Sequence, residues 1–157
     1  MKPADKIITI DDVMAFDPCY DREKMLRLAN GKKQLTVREI LGLRFVPAED
    51  KFWLVLREEV LPERLLHEFG LWCAEQVLLN ERAEGREPHP ASWNVLEVKR
   101  LWLDGKATHE ELWAAGAAVR VAAEAAARAA AWAAWAAWAA EAAGKSQLQK
   151  LKEMVEQ

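Results

Sequence analysis

Residues 108–143, THEELWAAGAAVRVAAEAAARAAAWAAWAAWAAEAA, decide the fold. Of residues 114–143, twenty are alanine, the residue with the highest intrinsic helix propensity. Thr108 and Glu111 form the capping-box pattern that begins a helix, and Gly144 is the next signal for a helix end. The sequence therefore predicts one long helix over about residues 109–143, about 52 Å long at the rise of an α-helix.

Shorter helices are predicted on both sides of this helix from caps, prolines and apolar spacing. Thr9 or Asp11 caps the first of them after a short extended lead-in at residues 7–10, and Pro62 opens the one that precedes the loop at 84–90. In chain order the remaining predicted helices cover residues 22–30 with Gly31 at the C′ position, 36–43, 47–60, 91–103 and a final helix capped by Ser146. The fold class is therefore all-α, a single-domain helical bundle.

The chain of 157 residues has the size of one ordinary domain. We expect residues 1–46 to form an N-terminal segment of short helices and residues 47–157 to form the helical bundle, the two being one continuous domain. The first residues, 1–5, lack the apolar stretch of a signal peptide, and two cysteines are too few for a disulfide framework. These features predict a cytoplasmic protein.

The net charge of −3 does not favour a nucleic-acid-binding protein. The charge is uneven, because residues 48–87 carry ten acidic and five basic side chains. Glu63, Glu68 and Glu75 fall within this acidic segment, outside the apolar stripe of their helix. They predict an acidic groove that suits a basic partner surface.

Trp132, Trp135 and Trp138 recur every three residues on the long helix and form one slanted stripe over about 120°. Two interpretations remain open. The stripe packs inside the bundle against alanine faces, or it forms an intermolecular surface for a partner or a second copy. A membrane span is disfavoured because Glu124 and Arg128 interrupt the apolar run.

The residues that carry chemistry do not form a recognised catalytic pattern. His67-Glu68 matches half of a zinc-protease motif, but position 71 is leucine, so the second ligand is missing. No glycine-rich phosphate loop and no nucleophile elbow occur. We therefore predict no catalytic residue, no metal and no cofactor, with an enzyme that uses His67 and Glu68 or Glu75 as the less favoured alternative.

The run LWCAEQVL at residues 71–78 resembles the "CAE-x-x-L" helix of the alanine-rich bacterial and phage immunity proteins called Imm-5-like. The resemblance covers about residues 65–143 and includes the turn LWLDG at residues 101–105 and the long helix after it. It implies a non-enzymatic protein from a bacterial or phage conflict. It carries over no functional residue, because the matching positions are structural.

These observations predict a binding or inhibitory protein that occludes a partner protein, such as a toxin or a defence component. The candidate partner-binding residues are the stripe of Trp132, Trp135 and Trp138 and the acidic side chains of Glu63, Glu68 and Glu75. The alternatives are a self-assembling helical scaffold, for instance a homodimer, and the His67 enzyme.

Overall fold

Over the residues that the structure describes, the fold is all-α apart from one small two-stranded sheet. The computed structural model describes the backbone of residues 1–127 and 136–157 and the side chains of residues 1–121 and 143–157. After a 3-10 turn at Pro3–Asp5, the elements are β1 (Ile7–Thr9), α1 (Ile10–Ala15), α2 (Arg22–Leu28), β2 (Gln34–Thr36), α3 (Val37–Gly42), α4 (Ala48–Val55), α5 (Glu63–Ala83), α6 (Pro90–Leu103), α7 (His109–Ala127) and α8 (Ala136–Val155).

The chain divides into two compact units. The N-terminal unit comprises Met1–Leu66 together with Ala140–Gln157, and the central unit comprises His67–Ala139. Residues 47–66 thus group with residues 1–46.

In the N-terminal unit, each strand of the sheet runs directly into a helix through a threonine. The hydroxyl of Thr9, not the side chain of Asp11, caps α1 by accepting from the Asp12 N–H at 3.1 Å, while the Asp12 carboxylate accepts from the Thr9 N–H at 2.8 Å. Thr36 and Glu39 form the same reciprocal capping box at the start of α3, as predicted. The antiparallel register pairs Ile7 with Thr36, Ile8 with Leu35 and Thr9 with Gln34.

The core of the N-terminal unit combines short elements from the start of the chain with its end. All the large, fully buried side chains of the described residues belong to this unit, and the last turns of α8 supply two of them. They are Val37, Leu41, Val55, Val60, Leu61, Leu151 and Val155. Burying each such aliphatic side chain contributes about 1.5–3 kcal/mol.

Two predicted helix ends in this unit are wrong. Helix α2 ends at Leu28, and Asn30 instead of Gly31 takes the C′ position at φ 54°, with Gly31 one residue later. The Gly31 N–H then bonds to the Leu26 carbonyl at 2.7 Å, which completes a Schellman motif. Helix α4 ends at Val55, five residues before the predicted end. The Arg57 side chain donates to the Trp53 carbonyl at 2.9 Å and so satisfies one carbonyl of the last turn.

The central unit contains α6, α7 and most of α5. Gly85 and Gly105 both take positive φ, at 81° and 69°, directly after α5 and α6, where glycine has no steric penalty. Thr108 and Glu111 form the predicted capping box that starts α7 at His109. Helix α6 packs against α7.

The long alanine-rich helix is confirmed over part of its predicted length. Residues 109–127 and residues from 136 onward are helical, whereas residues 128–135 lie outside the described part of the chain. The predicted end at Gly144 is wrong, since α8 continues through Gly144 to Val155. A glycine inside a helix costs about 1 kcal/mol relative to alanine, and the burial of Leu151 and Val155 on the continuing helix offsets it. Among the described residues, no helix is long and apolar enough to cross a membrane.

Candidate functional site

The predicted tryptophan stripe falls largely outside the described residues. Trp132 and Trp135 lie in the segment 128–135, and Trp138 lies on α8 with its side chain outside the described set. The choice between core packing and an intermolecular surface for these three residues stays a prediction.

The predicted acidic groove contains a carboxylate that is already paired. Arg100 on α6 donates to the Glu75 carboxylate on α5 at 2.6 Å, and both side chains are partly exposed. Glu68 lies seven residues before Glu75, on the same face of α5. Glu63 belongs to the N-terminal unit. The arrangement gives Glu75 a structural role between α5 and α6.

His67 packs against an aromatic ring. Its imidazole lies edge-on to Trp102 with ring centroids 5.5 Å apart, and Trp102 makes a similar contact with His109 at 5.1 Å. The Lys99 ammonium lies 3.8 Å from the centroid of Trp102, a distance typical of a cation–π interaction. These contacts join α5, α6 and α7 within the central unit. The third histidine, His89, caps α6, because its Nδ1 accepts from the Ala91 N–H at 3.1 Å.

A tryptophan that is largely exposed marks a shallow cleft on the central unit. Trp113 on α7 is 71% exposed, although a tryptophan can bury about 150–250 Å² of surface. The cleft beside it has a volume of about 420 Å³. This tryptophan cleft is lined by Val95, Lys99, His109, Leu112, Trp113, Gly116 and Arg120.

The floor of the tryptophan cleft lies on one face of α7. Trp113, Gly116 and Arg120 are three and four residues apart, so their side chains lie along the same side of the helix. The Arg120 guanidinium lies 5.2 Å from the centroid of the Trp113 ring. Gly116 leaves a gap between them, since a Cβ built on it has no neighbouring atom within 4 Å.

A second candidate site is an apolar cavity of about 320 Å³ inside the N-terminal unit. Its walls come from β1, α1, α2, β2, α3, α4 and the loops between them. Most of the lining is aliphatic, including Ile8, Val13, Met25, Leu28 and Leu54. Ligand sites of proteins are typically about 300–1,000 Å³ and mostly apolar, with a few polar groups. The cavity therefore has the size and lining of a small-molecule site.

The most buried polar group of this cavity is Lys51, which is 5% exposed. Its ammonium donates to the carbonyl oxygens of Leu41, at 3.4 Å, and Leu43. These carbonyls lie at the C-terminus of α3, where the helix dipole favours a cation. Burial, followed by repulsion from Lys152, lowers the pKa of Lys51.

The remaining polar lining residues are more exposed. The Tyr20 hydroxyl donates to the Asp50 carboxylate at 3.0 Å, and this hydrogen bond, followed by the charge of Asp50, raises the pKa of Tyr20. The Lys24 ammonium lies 3.6 Å from the centroid of the Tyr20 ring. Next to Tyr20, the Cys19 thiol is exposed and also lines the cavity.

Neither site was predicted from the sequence. The spacing of Trp113, Gly116 and Arg120 was a usable signal, because it places an aromatic ring, a gap and a guanidinium on one helix face. The apolar cavity has no such local signal, since its walls come from residues 8–54 across six elements and the loops between them.

Among the described residues, no three His, Cys, Asp or Glu side chains are grouped so that they could hold a metal ion. Compared with models of protein families, with curated proteins and with solved structures, the chain matches none of them. The tryptophan cleft and the apolar cavity are therefore the two candidate functional sites of the described residues.

Proposed function

We propose that the protein binds a partner protein and occludes it without catalysing a reaction. The tryptophan cleft supports this proposal, because Trp113 remains 71% exposed beside Arg120. Tryptophan and arginine are the residues most enriched among the side chains that dominate binding energy at protein interfaces. Exposed apolar surface on a soluble protein also tends to mark an interaction site.

The charges of the tryptophan cleft favour an acidic partner surface. Lys99 and Arg120 line it, and none of its lining residues carries a carboxylate. The sequence instead pointed to a basic partner that meets Glu63, Glu68 and Glu75, but Arg100 already balances the Glu75 charge. We therefore infer that the partner inserts an apolar side chain beside Trp113 and surrounds it with carboxylates.

The resemblance to alanine-rich immunity proteins supports the class of partner, a toxin or a defence component in a bacterial or phage conflict. A protein that occludes its partner acts stoichiometrically, whereas an enzyme acts at a low molar ratio. This difference separates the proposal from the alternative in which His67 is catalytic.

The sharpest test fills the tryptophan cleft without cutting any contact. In Gly116→Phe the new side chain enters open space on α7, and phenylalanine has a higher helix propensity than glycine. Gly70→Phe is the matched control, since Gly70 is also helical, exposed and free of neighbours within 4 Å. Partner proteins captured from a bacterial lysate by the wild type and by both variants are identified. Each partner is then purified, and its binding to the three proteins is measured by titration.

We expect at least one partner that binds the wild type and Gly70→Phe in a saturable manner and loses binding to Gly116→Phe. Its binding should weaken as salt increases, because the proposed interface pairs opposite charges. Equal capture by all three proteins would show that the tryptophan cleft is not the interface. If a small molar fraction of this protein inactivated the partner, and if His67→Ala abolished that inactivation, the protein would be an enzyme that uses His67 and the occlusion proposal would be wrong.

Self-assembly is tested by sedimentation of the purified chain at high concentration. A wild-type dimer that Gly116→Phe converts to a monomer would make a second copy of the chain the occupant of the cleft. That result would favour the scaffold over the occluding protein.

A further inference from the structure

The apolar cavity of the N-terminal unit takes no part in the proposed partner binding. The cavity is partly open, its lining is mostly aliphatic, and the side chain of Lys51 is its most buried polar group. An apolar ligand that entered it would gain dispersion contacts and remove apolar surface from water.

The size of the cavity limits the ligand. An engineered apolar cavity of about 150 Å³ accepts benzene. By proportion, the cavity of 320 Å³ in this protein holds an apolar body of about a dozen non-hydrogen atoms. A lipid with two chains or a folded peptide segment is too large, whereas a medium-length chain or a substituted ring fits.

The charge of the cavity identifies the head group. An ammonium has three N–H donors, and the two hydrogen bonds of Lys51 go to neutral carbonyls. Among the described residues, one donor therefore remains for a further acceptor. Lys152 adds a second positive charge near Lys51, so an anionic acceptor would be favoured over a neutral one.

We propose that the apolar cavity binds a small amphipathic carboxylate, whose apolar body lies among the aliphatic side chains and whose carboxylate accepts from the Lys51 ammonium. The acids of the lining, Asp50 and Glu49, are more exposed than Lys51, and Asp50 accepts from Tyr20. The most buried end of the site therefore has the positive charge.

Three probes with the same ten-carbon chain and different head groups separate the effect of head-group charge from the effect of apolar chain length. Decanoate has about the required number of atoms, 1-decanol has a neutral head, and decyltrimethylammonium has a positive head. Each is titrated calorimetrically into the full-length chain below its micelle concentration. We expect saturable 1:1 binding of decanoate, roughly tenfold or more tighter than 1-decanol, as for one charge-assisted hydrogen bond. The cationic probe should bind most weakly.

The reactivity of the two cysteines shows whether decanoate binds in the apolar cavity. Cys19 lines the cavity and is exposed, whereas Cys73 lies on α5 in the central unit. Decanoate should slow the reaction of Cys19 with a thiol reagent in a Cys73→Ser protein. It should leave the reaction of Cys73 unchanged in a Cys19→Ser protein.

Lys51→Met keeps most of the side-chain length, one atom shorter, and removes the charge. It should lower decanoate affinity roughly tenfold or more while 1-decanol binding stays the same. If Lys51→Met does not fold, the order of the affinities of the three probes for the wild type still tests whether the cavity prefers a carboxylate. The proposal is overturned by equal binding of the probes, by tighter binding of the cation, by no saturable decanoate binding, or by equal protection of Cys19 and Cys73.

Discussion

The two compact units of the chain are stabilised in different ways. In the N-terminal unit, helices α1 to α4 are six to eight residues long, shorter than the ~12–15 residues at which isolated helices become stable. Two capping boxes and the set of fully buried aliphatic side chains compensate for this. Tertiary packing therefore determines the structure of this unit.

In the described part of the central unit, α5 has 21 residues and α7 has 19, while the buried apolar side chains are few, namely Phe69, Leu71, Leu96 and Ala115. Polar and ring contacts are prominent. Arg82 makes two hydrogen bonds to Glu87, at 2.7 and 3.0 Å, and lies 4.6 Å from the Trp93 ring centroid.

This contrast in stabilisation explains where each candidate site forms. A long helix with high alanine content is stable without burying every aromatic side chain, so Trp113 can remain exposed on α7. Short helices held by tertiary contacts can instead surround a cavity, because several of them meet around one space. The surface site thus belongs to the unit with long helices, and the enclosed site belongs to the unit with a dense core.

The largest effect is expected when a core side chain of the N-terminal unit is truncated. Leu151 on α8 is fully buried, and Leu151→Ala should lower the free energy of unfolding by about 3 kcal/mol through lost burial and a new cavity. Leu79→Ala is the control, because Leu79 on α5 is 42% exposed and should cost about 0.5 kcal/mol. Urea unfolding measures both. Equal losses would contradict the contrast in packing.

A smaller effect is expected from two glycines that occupy different backbone conformations. Gly144→Ala should raise the free energy of unfolding by about 0.5–1 kcal/mol, because Gly144 lies inside α8 and an added Cβ would lie at an ordinary 3.8 Å from Ala48. Gly105→Ala should lower it by about 1 kcal/mol, because φ is 69° there. Thermal and urea unfolding check the opposite signs. If both substitutions lowered the free energy of unfolding, the helix end predicted at Gly144 would be correct.

Local signals in the sequence located most of the helices. The capping boxes at Thr36 and Thr108 gave correct helix starts, because a cap depends on residues three apart. Apolar spacing predicted a final helix capped by Ser146, but that separate start is wrong, because α8 continues through Gly144 and Ser146 and its burial of Leu151 depends on tertiary packing. Strand β2 was missed because three residues show no period, although Leu35-Thr36-Val37 matches Ile8-Thr9-Ile10 of the first strand and helix.

The candidate sites were harder to predict than the fold. Alanine content and spacing drew attention to Trp132, Trp135 and Trp138, whereas the tryptophan cleft lies at Trp113. Periodicity shows which residues share a helix face but not whether another helix covers that face. The burial of Lys51 could not be inferred, since lysine is almost always exposed and its carbonyl partners lie on α3.

A weaker effect is expected from the ion pair between Glu75 and Arg100. A double-mutant cycle with Glu75→Gln and Arg100→Met should give a coupling of about 0.5 kcal/mol, because the side chains are 31% and 42% exposed and solvent screens their charges. Urea unfolding of the four proteins measures the coupling, which should shrink in high salt. A coupling above about 2 kcal/mol would mean that this pair, rather than helix length, stabilises the central unit.

The smallest effect is expected in acid, where the capping boxes of the two units can be compared directly. The ammonium of Lys32 at 2.7 Å, followed by the backbone N–H and hydroxyl of Thr36, lowers the pKa of Glu39 from 4.5 to about 2. Since the folded pKa lies below the unfolded pKa, Glu39 contributes stability above about pH 4.5 that is lost as the pH falls towards 2. Thr108 alone lowers the pKa of Glu111, through its N–H and its hydroxyl.

The free energy of unfolding is therefore measured from pH 7 to pH 2 for the wild type, Glu39→Gln and Glu111→Gln. Glutamine keeps the capping geometry, so each difference from the wild type isolates the charge and should disappear near pH 2. The difference should be larger for Glu39, because only Glu39 has the additional ion pair with Lys32. A larger difference for Glu111 would indicate that the cap of the long helix, and not the caps of the short helices, depends most on charge.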